Sequence, residues 1–434
     1  MNSDSFVARL RAKPIDGSAR HRGRWWVAAL LFSAMAFNYF DRQMLAVLKP
    51  SLSAELGWSE MDYANMVFWF QAAYATSYLM FGAVVDRVGA RIGLAVAFVI
   101  WSVAQMAHGV ARTAGEFMLA RALLGIGEGG GYPAGLAAVA QWFDKQERAF
   151  ATGLFNAGVN VGAIVTPLVV PIIVGAYGWR AAFVATGLAS LVWLGFWLVF
   201  YRRPPNADAR NAAPIDAAAD EGPTTPLAWR RVLRTREAWA FAIGKLMIDP
   251  VFWMFLFWLP DFLHKRHGLE LKNFGLPLAA IYIMSDAGSI LGGWASSAQI
   301  KRGASVNRAR KLTMLVCALL ALPVIFAVNV SNLWLAVLII GLAGGAHQGF
   351  SVNLFTLPSD MFPKRAVGRV IGMGGAMGAI GGMAMSQYAG AVLATIGSYT
   401  PIFAVAGCTY LLALGIIHFL SPSLTPVAEA ALLD

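Results

Sequence analysis

Two ionisable residues, Arg121 and Glu128, lie inside an apolar run from Phe117 to Phe143, within the stretch RALLGIGEGGGYP at 121–133. Seven residues are two helical turns, so on a helix the guanidinium and the carboxylate share a face, ~10 Å apart along the axis. A charge at membrane depth costs at least ~2.5 kcal/mol unless it finds a partner or water. Two on one face point either to a wet, protein-lined interior or to an ion pair locking two helices. The glycines around Glu128 clear that face of bulk, so another helix or a ligand can come close.

Other apolar runs carry chemistry of the same kind. The first holds Asn38, Tyr39, Asp41 and Arg42. Neighbours on a helix point about 100° apart, so Asp41 and Arg42 each need a separate partner or water. Gln71, Tyr74 and Tyr78 follow, the two tyrosines on one face, facing a polar cavity or an interfacial belt. Asn156 and Asn160 share a face and can bond a ligand or another helix. Further along, Lys245 and Asp249 are four apart and can pair, and Pro250 releases a carbonyl there. Asp286 and the group His347, Gln348, Ser351, Asn353 lie in later runs. His347 can titrate, bind a ligand, or bridge helices in its neutral form.

None of this is an enzyme's equipment. There is no nucleophile–base arrangement, no cluster of metal ligands and no G-x4-G-K-[ST] loop for ATP. Uphill work must then draw on an ion gradient. Carboxylates to carry protons and cations to hold an anion describe a secondary transporter for an organic acid, with a midplane site between two repeats. It needs no cofactor; protons are the coupling ion.

The elements that position these residues follow from composition. Of 434 residues, 58% are hydrophobic and 13% charged, and mean hydropathy is +0.60. The apolar residues come in blocks of about 20 or more, the length that crosses a ~30 Å hydrocarbon core. The runs are continuous, which excludes a β-barrel. Cutting at these blocks predicts an all-α membrane protein of 12 transmembrane helices. Of the 34 Lys and Arg, 25 fall on one side if the N-terminus is cytoplasmic, and six on the other (Lys49, Arg112, Arg180, Lys265, Arg266, Lys272). That asymmetry predicts cytoplasmic termini and accounts for the net charge of +11 without nucleic acid. The first 24 residues lack a signal peptide's apolar core and are expected to stay as a cytoplasmic segment. Cys317 and Cys408 lie within spans and are expected to pack there.

Residues 202–236 hold five prolines, seven arginines and no long apolar run. They read as a cytoplasmic linker ending in a short surface helix over 229–236. The predicted organisation is a six-helix bundle at 25–201, the linker, a second bundle at 237–421, and a tail at 422–434. Six spans on each side suggest duplication. Small residues at spacing four, Gly158, Gly162 and Thr166 in span 5 and Gly374, Gly378 and Gly382 in span 11, allow close helix crossing.

Between spans 2 and 3 stands GAVVDRVGAR, with Gly82, Asp86, Arg87, Gly89 and Arg91. So short a turn needs glycine for its backbone angles, and its acid can meet a helix N-terminus or a basic group. This loop resembles the signature of the major facilitator superfamily, and 292–303 echoes it without the acid. From 25 to 420 the chain is similar to that superfamily's anion:cation symporters, above all the hexuronate and sugar-acid branch. The matching residues are Asp41-Arg42, the 82–91 loop, Arg121 and Glu128 with its glycines, Lys245, Asp249-Pro250, Asp286 and His347-Gln348. The resemblance implies proton-coupled uptake of a sugar acid through the inner membrane by a monomer. It implies that Arg42 grips the substrate carboxylate, that Asp41 and Glu128 take up protons, and that Arg121 holds Asp41. Tyr74, Arg121, Asn156, Lys245, Asp249, His347 and Gln348 complete the expected substrate site. Galactonate-type members place an amide on helix 11; 368–382 has none, which favours a hexuronate over an open-chain aldonate. The alternatives are symport of another organic anion (aldonate, aldarate or aromatic acid) and anion exchange, which would need the basic residues but not Asp41 or Glu128.

Overall fold

A computed structural model describes residues 17–144, 147–201 and 229–427. All regular structure among them is helical. In chain order the helices are α1 (Gly17–Leu56), α2 (Glu60–Val110), α3 (Ala114–Trp142), α4 (Arg148–Phe200), α5 (Trp229–Val232), α6 (Arg236–His267), α7 (Gly275–Lys301), α8 (Val306–Ala321), α9 (Leu333–Met361), α10 (Lys364–Thr395) and α11 (Thr400–Leu420). Short 3-10 turns at Leu271–Asn273 and Leu322–Val328 precede α7 and extend α8.

Two helices run through positions where the sequence predicts a break between spans. In α2 the chain turns at Gly89 (φ 82°, ψ 162°), and in α4 at Gly178 (φ 80°, ψ 164°). A side chain at such a φ clashes with its own backbone, so glycine is required there. Gly82, by contrast, lies within α2 with open space around it. Of the loop's two expected turn glycines, only Gly89 serves the backbone. With α2 and α4 divided at these points, the described residues form twelve long rods. Among the described residues, six helices are long and apolar enough to cross a membrane: one within α4, then α6, α7, α8 with its extension, α9 and α11. Charged side chains lower the hydropathy of α1, which carries Asp41, Arg42 and Lys49, and of α3, which carries Arg121 and Glu128.

Helix ends follow local chemistry. Thr113 caps α3 through a capping box with Glu116, and α6 ends on Gly268 in the left-handed conformation. The short helix predicted over 229–236 stops at Val232. Arg236 instead opens α6 behind Thr235, whose extended backbone suits an N-cap. Residues 1–16 of the predicted N-terminal segment (1–24), most of the linker (202–228) and residues 428–434 of the tail lie outside the described residues.

The chain divides into two compact units. One comprises the described residues up to Leu48 and from Trp69 to Tyr201; the other comprises Lys49–Phe68 and the residues from Trp229 onward. Within the first, the spaced glycines of α4 seat it on α1: a Cβ at Gly158 would stand 2.0 Å from the Phe32 carbonyl oxygen, and one at Gly162 2.4 Å from that of Ala36. Within the second, Gly374, Gly381 and Gly382 seat α10 on α6 in the same way. Gly158→Ala should therefore destabilise by about 1–3 kcal/mol through overpacking. Gly153→Ala, facing open space in the same helix, should be neutral or stabilise by up to about 1 kcal/mol. Thermal unfolding in detergent compares them. Cys317 is buried as expected, whereas Cys408 faces outward and does not pack inside the protein.

Candidate anion and proton site

In the first unit the charged residues of α1 and α3 meet. Arg42 donates from Nε to Oε2 of Glu128 at 2.8 Å and from Nη2 to Oδ1 of Asn38 at 3.0 Å. Both side chains of the ion pair are buried, 1% and 0% exposed. The guanidinium lies over the rings of Tyr39, Tyr74 and Phe70, at 4.4, 4.7 and 5.3 Å from their centroids. Asn38 reaches the same group because it sits one turn before Arg42 on α1. Taking one charge from such a pair strands the other, at a cost of ~3–5 kcal/mol.

The glycines of α3 bring Glu128 to this point. A Cβ at Gly125 would lie 2.4 Å from the Phe70 carbonyl oxygen, one at Gly129 2.6 Å from that of Tyr74, and one at Gly127 2.5 Å from the Trp101 nitrogen. These positions are filled by the two arms of α2. Of the two uses the sequence left open for them, the structure displays close helix crossing.

Asp41 points to different partners, as its offset from Arg42 on the helix requires. Its Oδ2 accepts a hydrogen bond from the Ser190 hydroxyl at 3.3 Å, and Trp101 Nε1 donates to that hydroxyl at 3.4 Å. Arg121 Nη2 donates to the backbone carbonyl of Arg42 at 3.0 Å, and its guanidinium lies 5.2 Å from the Phe70 ring. Arg121 thus braces α1 at the residue beside Asp41, while Ser190 meets the Asp41 carboxylate. Tyr74 stacks between Phe70 and Tyr78, and Tyr78 lies 6.0 Å from Tyr132. Asn156 hydrogen-bonds Tyr132, so this aromatic series joins it to the Arg42 group.

The second unit holds its own cluster. Lys245 Nζ lies 2.7 Å from Asp249 Oδ1, and 4.0 Å above the Phe355 ring. Gly378 of α10 leaves room for that carboxylate: a Cβ there would be 2.1 Å from Asp249 Oδ2. His347 shares a 2.9 Å hydrogen bond with the Tyr410 hydroxyl and stacks on Phe252. Gln348 is half-buried one residue on, and Asp286 is half-buried on α7. In the signature loop, Asp86 and Arg87 are exposed. Arg91 donates to the Leu198 carbonyl, and Trp197 Nε1 donates to the Arg91 carbonyl at 3.0 Å. Beside the second-half echo, Arg310 of α8 pairs with Asp360 of α9 at 3.2 Å and donates to Ser296 of the echo at 2.9 Å.

Sequence reasoning did not pick out Ser190, Trp101, Phe70 or Tyr132 as parts of the site. A lone serine or aromatic in an apolar run carries no signal of its own; only folding brings it to a charge. The groups that gather can hold an anion on a guanidinium, surround it with aromatic and amide side chains, and exchange protons at two buried carboxylates. Among the described residues there is no group of three or more His, Cys, Asp or Glu that could hold a metal.

Residues 31–385 match the family model described as Major Facilitator Superfamily. The chain is 30% identical over 390 residues to the hexuronate transporter of Escherichia coli (strain K12), covering 88% of this chain and 90% of that one. It is 29% identical over 278 residues to the galacturonate transporter of Dickeya chrysanthemi, covering 62% and 81%. Among solved structures, a bacterial homolog to the human lysosomal transporter Spinster has the same fold, with a TM-score of 0.70 at 18% identity, covering 95% and 96% of the two chains.

Proposed function

We infer, because this chain belongs to the Major Facilitator Superfamily, that it imports a hexuronate such as glucuronate or galacturonate together with protons. It is a membrane transporter of sugar-acid type and not an enzyme. The reading extends to twelve spans, both termini in the cytoplasm, an inner-membrane location, a monomer and no cofactor. Resemblance to the hexuronate and galacturonate transporters supports the substrate class.

The observation that carries the coupling is the buried Arg42–Glu128 pair. Arg42 is the group suited to grip a substrate carboxylate, because its planar fork matches two oxygens. Glu128 already holds one donor of that guanidinium, Nε. One guanidinium with two competing carboxylates links the anion to a proton: once Glu128 is protonated, its hold on Arg42 weakens and the anion can take its place. When the anion leaves, Glu128 gives up the proton and closes on Arg42 again. Asp41, held by Ser190, is the second proton site in this scheme. Lys245, His347 and Gln348 are assigned to the sugar hydroxyls. Energetically, carrying an anion inward against a negative interior costs ~2.3 kcal/mol per charge per 100 mV. One proton makes the transfer electroneutral, and a second makes the potential drive it.

Uptake of labelled glucuronate into proteoliposomes, with and without an inward proton gradient, tests this. Accumulation only with the gradient is expected. Equal uptake in both conditions points to the exchange alternative. No uptake by folded protein overturns the hexuronate and directs the search to aldonates, aldarates and aromatic acids.

A further inference from the structure

One buried titratable side chain of the first unit has no part in the scheme above. His108, near the end of α2, is buried, and its Nδ1 lies 2.8 Å from the Ala104 carbonyl oxygen. A carbonyl only accepts, so Nδ1 carries the hydrogen and Nε2 keeps the lone pair. Nε2 has no hydrogen-bond partner among the described residues. The ring stacks on Phe183 at 5.1 Å and meets Phe117 edge-on at 5.7 Å. A histidine kept for packing alone would be cheaper as phenylalanine, because an unmade bond at a buried nitrogen costs stability. Arg121 of α3 is the charged side chain that acts on the ring, while Arg180 of α4 lies over Trp179.

His108 tops a ladder of side-chain pairs between α2 and the second arm of α4. One turn further in, Gln105 Nε2 donates to the Thr186 hydroxyl at 3.1 Å. Another turn in, Trp101 Nε1 donates to the Ser190 hydroxyl at 3.4 Å. Both hydroxyls bond the Asp41 carboxylate. Residues 101, 105 and 108 share a helix face, as do 183, 186 and 190, so the rungs span ~10 Å of axis. Every side chain in them is buried. Gln105 Oε1 and the Ser102 hydroxyl, like His108 Nε2, have no hydrogen-bond partner among the described residues. Buried polar atoms of this kind are the ones that ordered waters bridge.

We propose that His108 is the entry group through which protons reach Asp41. This rests on the reading above, in which Asp41 exchanges protons and the termini are cytoplasmic. The end of α2 at Val110 is then the outer one, and the ladder leads from the outer surface to Asp41. A proton from outer water bonds to Nε2 and makes the imidazolium. That N–H bond then breaks toward a water held by Gln105 Oε1, which restores the neutral ring. The water passes a proton to the Thr186 hydroxyl, which releases its own hydrogen to the Asp41 carboxylate. The product is a neutral acid, and no other group has changed charge. Release follows the same steps in reverse. His108 therefore sets how fast protons reach Asp41, not how many are coupled, and it does not touch the anion.

Two measurements test it. The first needs no substrate: stopped-flow infrared spectroscopy in detergent follows, after a pH jump, the carboxyl band that Asp41→Asn removes. His108→Phe keeps the stack on Phe183, and Gln105→Leu keeps the shape of the middle rung. Each should slow the band at least about tenfold and leave its final amplitude unchanged. Native rates in whichever variants fold, or a band that never responds to pH, overturn the relay. The second is gradient-driven glucuronate uptake into proteoliposomes. His108→Phe should lower the initial rate at least about tenfold yet reach the native accumulation ratio, which the number of coupled protons fixes. A lower final ratio would make His108 a coupling site and overturn the relay. No glucuronate uptake by any protein, the native one included, with the infrared slowing intact, would fault the substrate reading and leave the relay standing.

Discussion

Glu128→Gln is expected to cut proton-driven accumulation about 50-fold, the worth of one coupled proton at 100 mV, while leaving anion exchange in place. The amide has the shape of the protonated acid and keeps a carbonyl oxygen to accept from Arg42, which in the native protein donates to Oε2 at 2.8 Å. It cannot take up or release a proton. Each proton coupled under 100 mV of driving force is worth ~2.3 kcal/mol, or about 50-fold in the concentration ratio reached. Accumulation should fall by about that factor for the proton lost, while counterflow of glucuronate against glucuronate stays within about threefold, because exchange draws no work from protons. Full accumulation by Glu128→Gln would remove Glu128 from the coupling scheme. Glu128→Ala is a different lesion. It strands the Arg42 charge and should cost ~3–5 kcal/mol of stability, which thermal unfolding reads separately from transport.

Arg42→Lys is expected to fail in binding, although the charge is kept. The guanidinium serves Glu128 through Nε and Asn38 through Nη2 while lying over the rings of Tyr39 and Tyr74. A single ammonium on a shorter reach cannot donate along two fixed directions at once or stack on a ring in that way. Losing one charge-assisted hydrogen bond to the substrate carboxylate costs ~1.5–3 kcal/mol, so the apparent affinity for glucuronate should drop about 10- to 150-fold. Substrate-dependent thermal stabilisation and the KM for counterflow both report it. A lysine variant with native KM would mean that Arg42 serves only to neutralise Glu128 and that the anion is held elsewhere.

The two variants separate parts that one ion pair joins. Substituting the acid should cost the gradient and spare the anion; substituting the base should cost the anion. If both fell together with no change in unfolding temperature, the pair would be one indivisible unit and the competition scheme would need a third group. Ser190→Ala offers a check on the second carboxylate. It removes a hydroxyl that meets Asp41 Oδ2, leaving Thr186 as another side-chain hydrogen-bond partner, without altering the Arg42 group.

Much of this protein was legible in its sequence because hydrocarbon is an unforgiving solvent. Apolar runs of about 20 residues have to be helices, since a backbone in lipid must satisfy its own hydrogen bonds. Charges that survive in such runs have to matter or to pair, which singled out Asp41, Arg42, Arg121, Glu128, Lys245 and Asp249 one by one. The one pairing predicted from spacing, Lys245 with Asp249, is present because four residues on a helix fix the geometry locally.

Pairings between helices were a different matter. The sequence placed Arg42 and Glu128 in separate runs 86 residues apart, and nothing in either run says that they touch. Nor does it reveal that Asp41 turns to Ser190, that Arg121 reaches a backbone carbonyl, or that Arg310 pairs with Asp360. Lys49 and Lys265 read as two loop cations on one side of the membrane, yet they meet Glu60 and Asp261 in a closed ring. Sequence by itself determined the helices, the cost of each buried charge and hence the class of work the chain performs, because those depend on local periodicity and on solvent. Which charge answers which was decided only by tertiary structure, because glycine-lined crossings, such as that of α3 at Gly125 and Gly129 against α2, set the register in which one helix presents its face to the next.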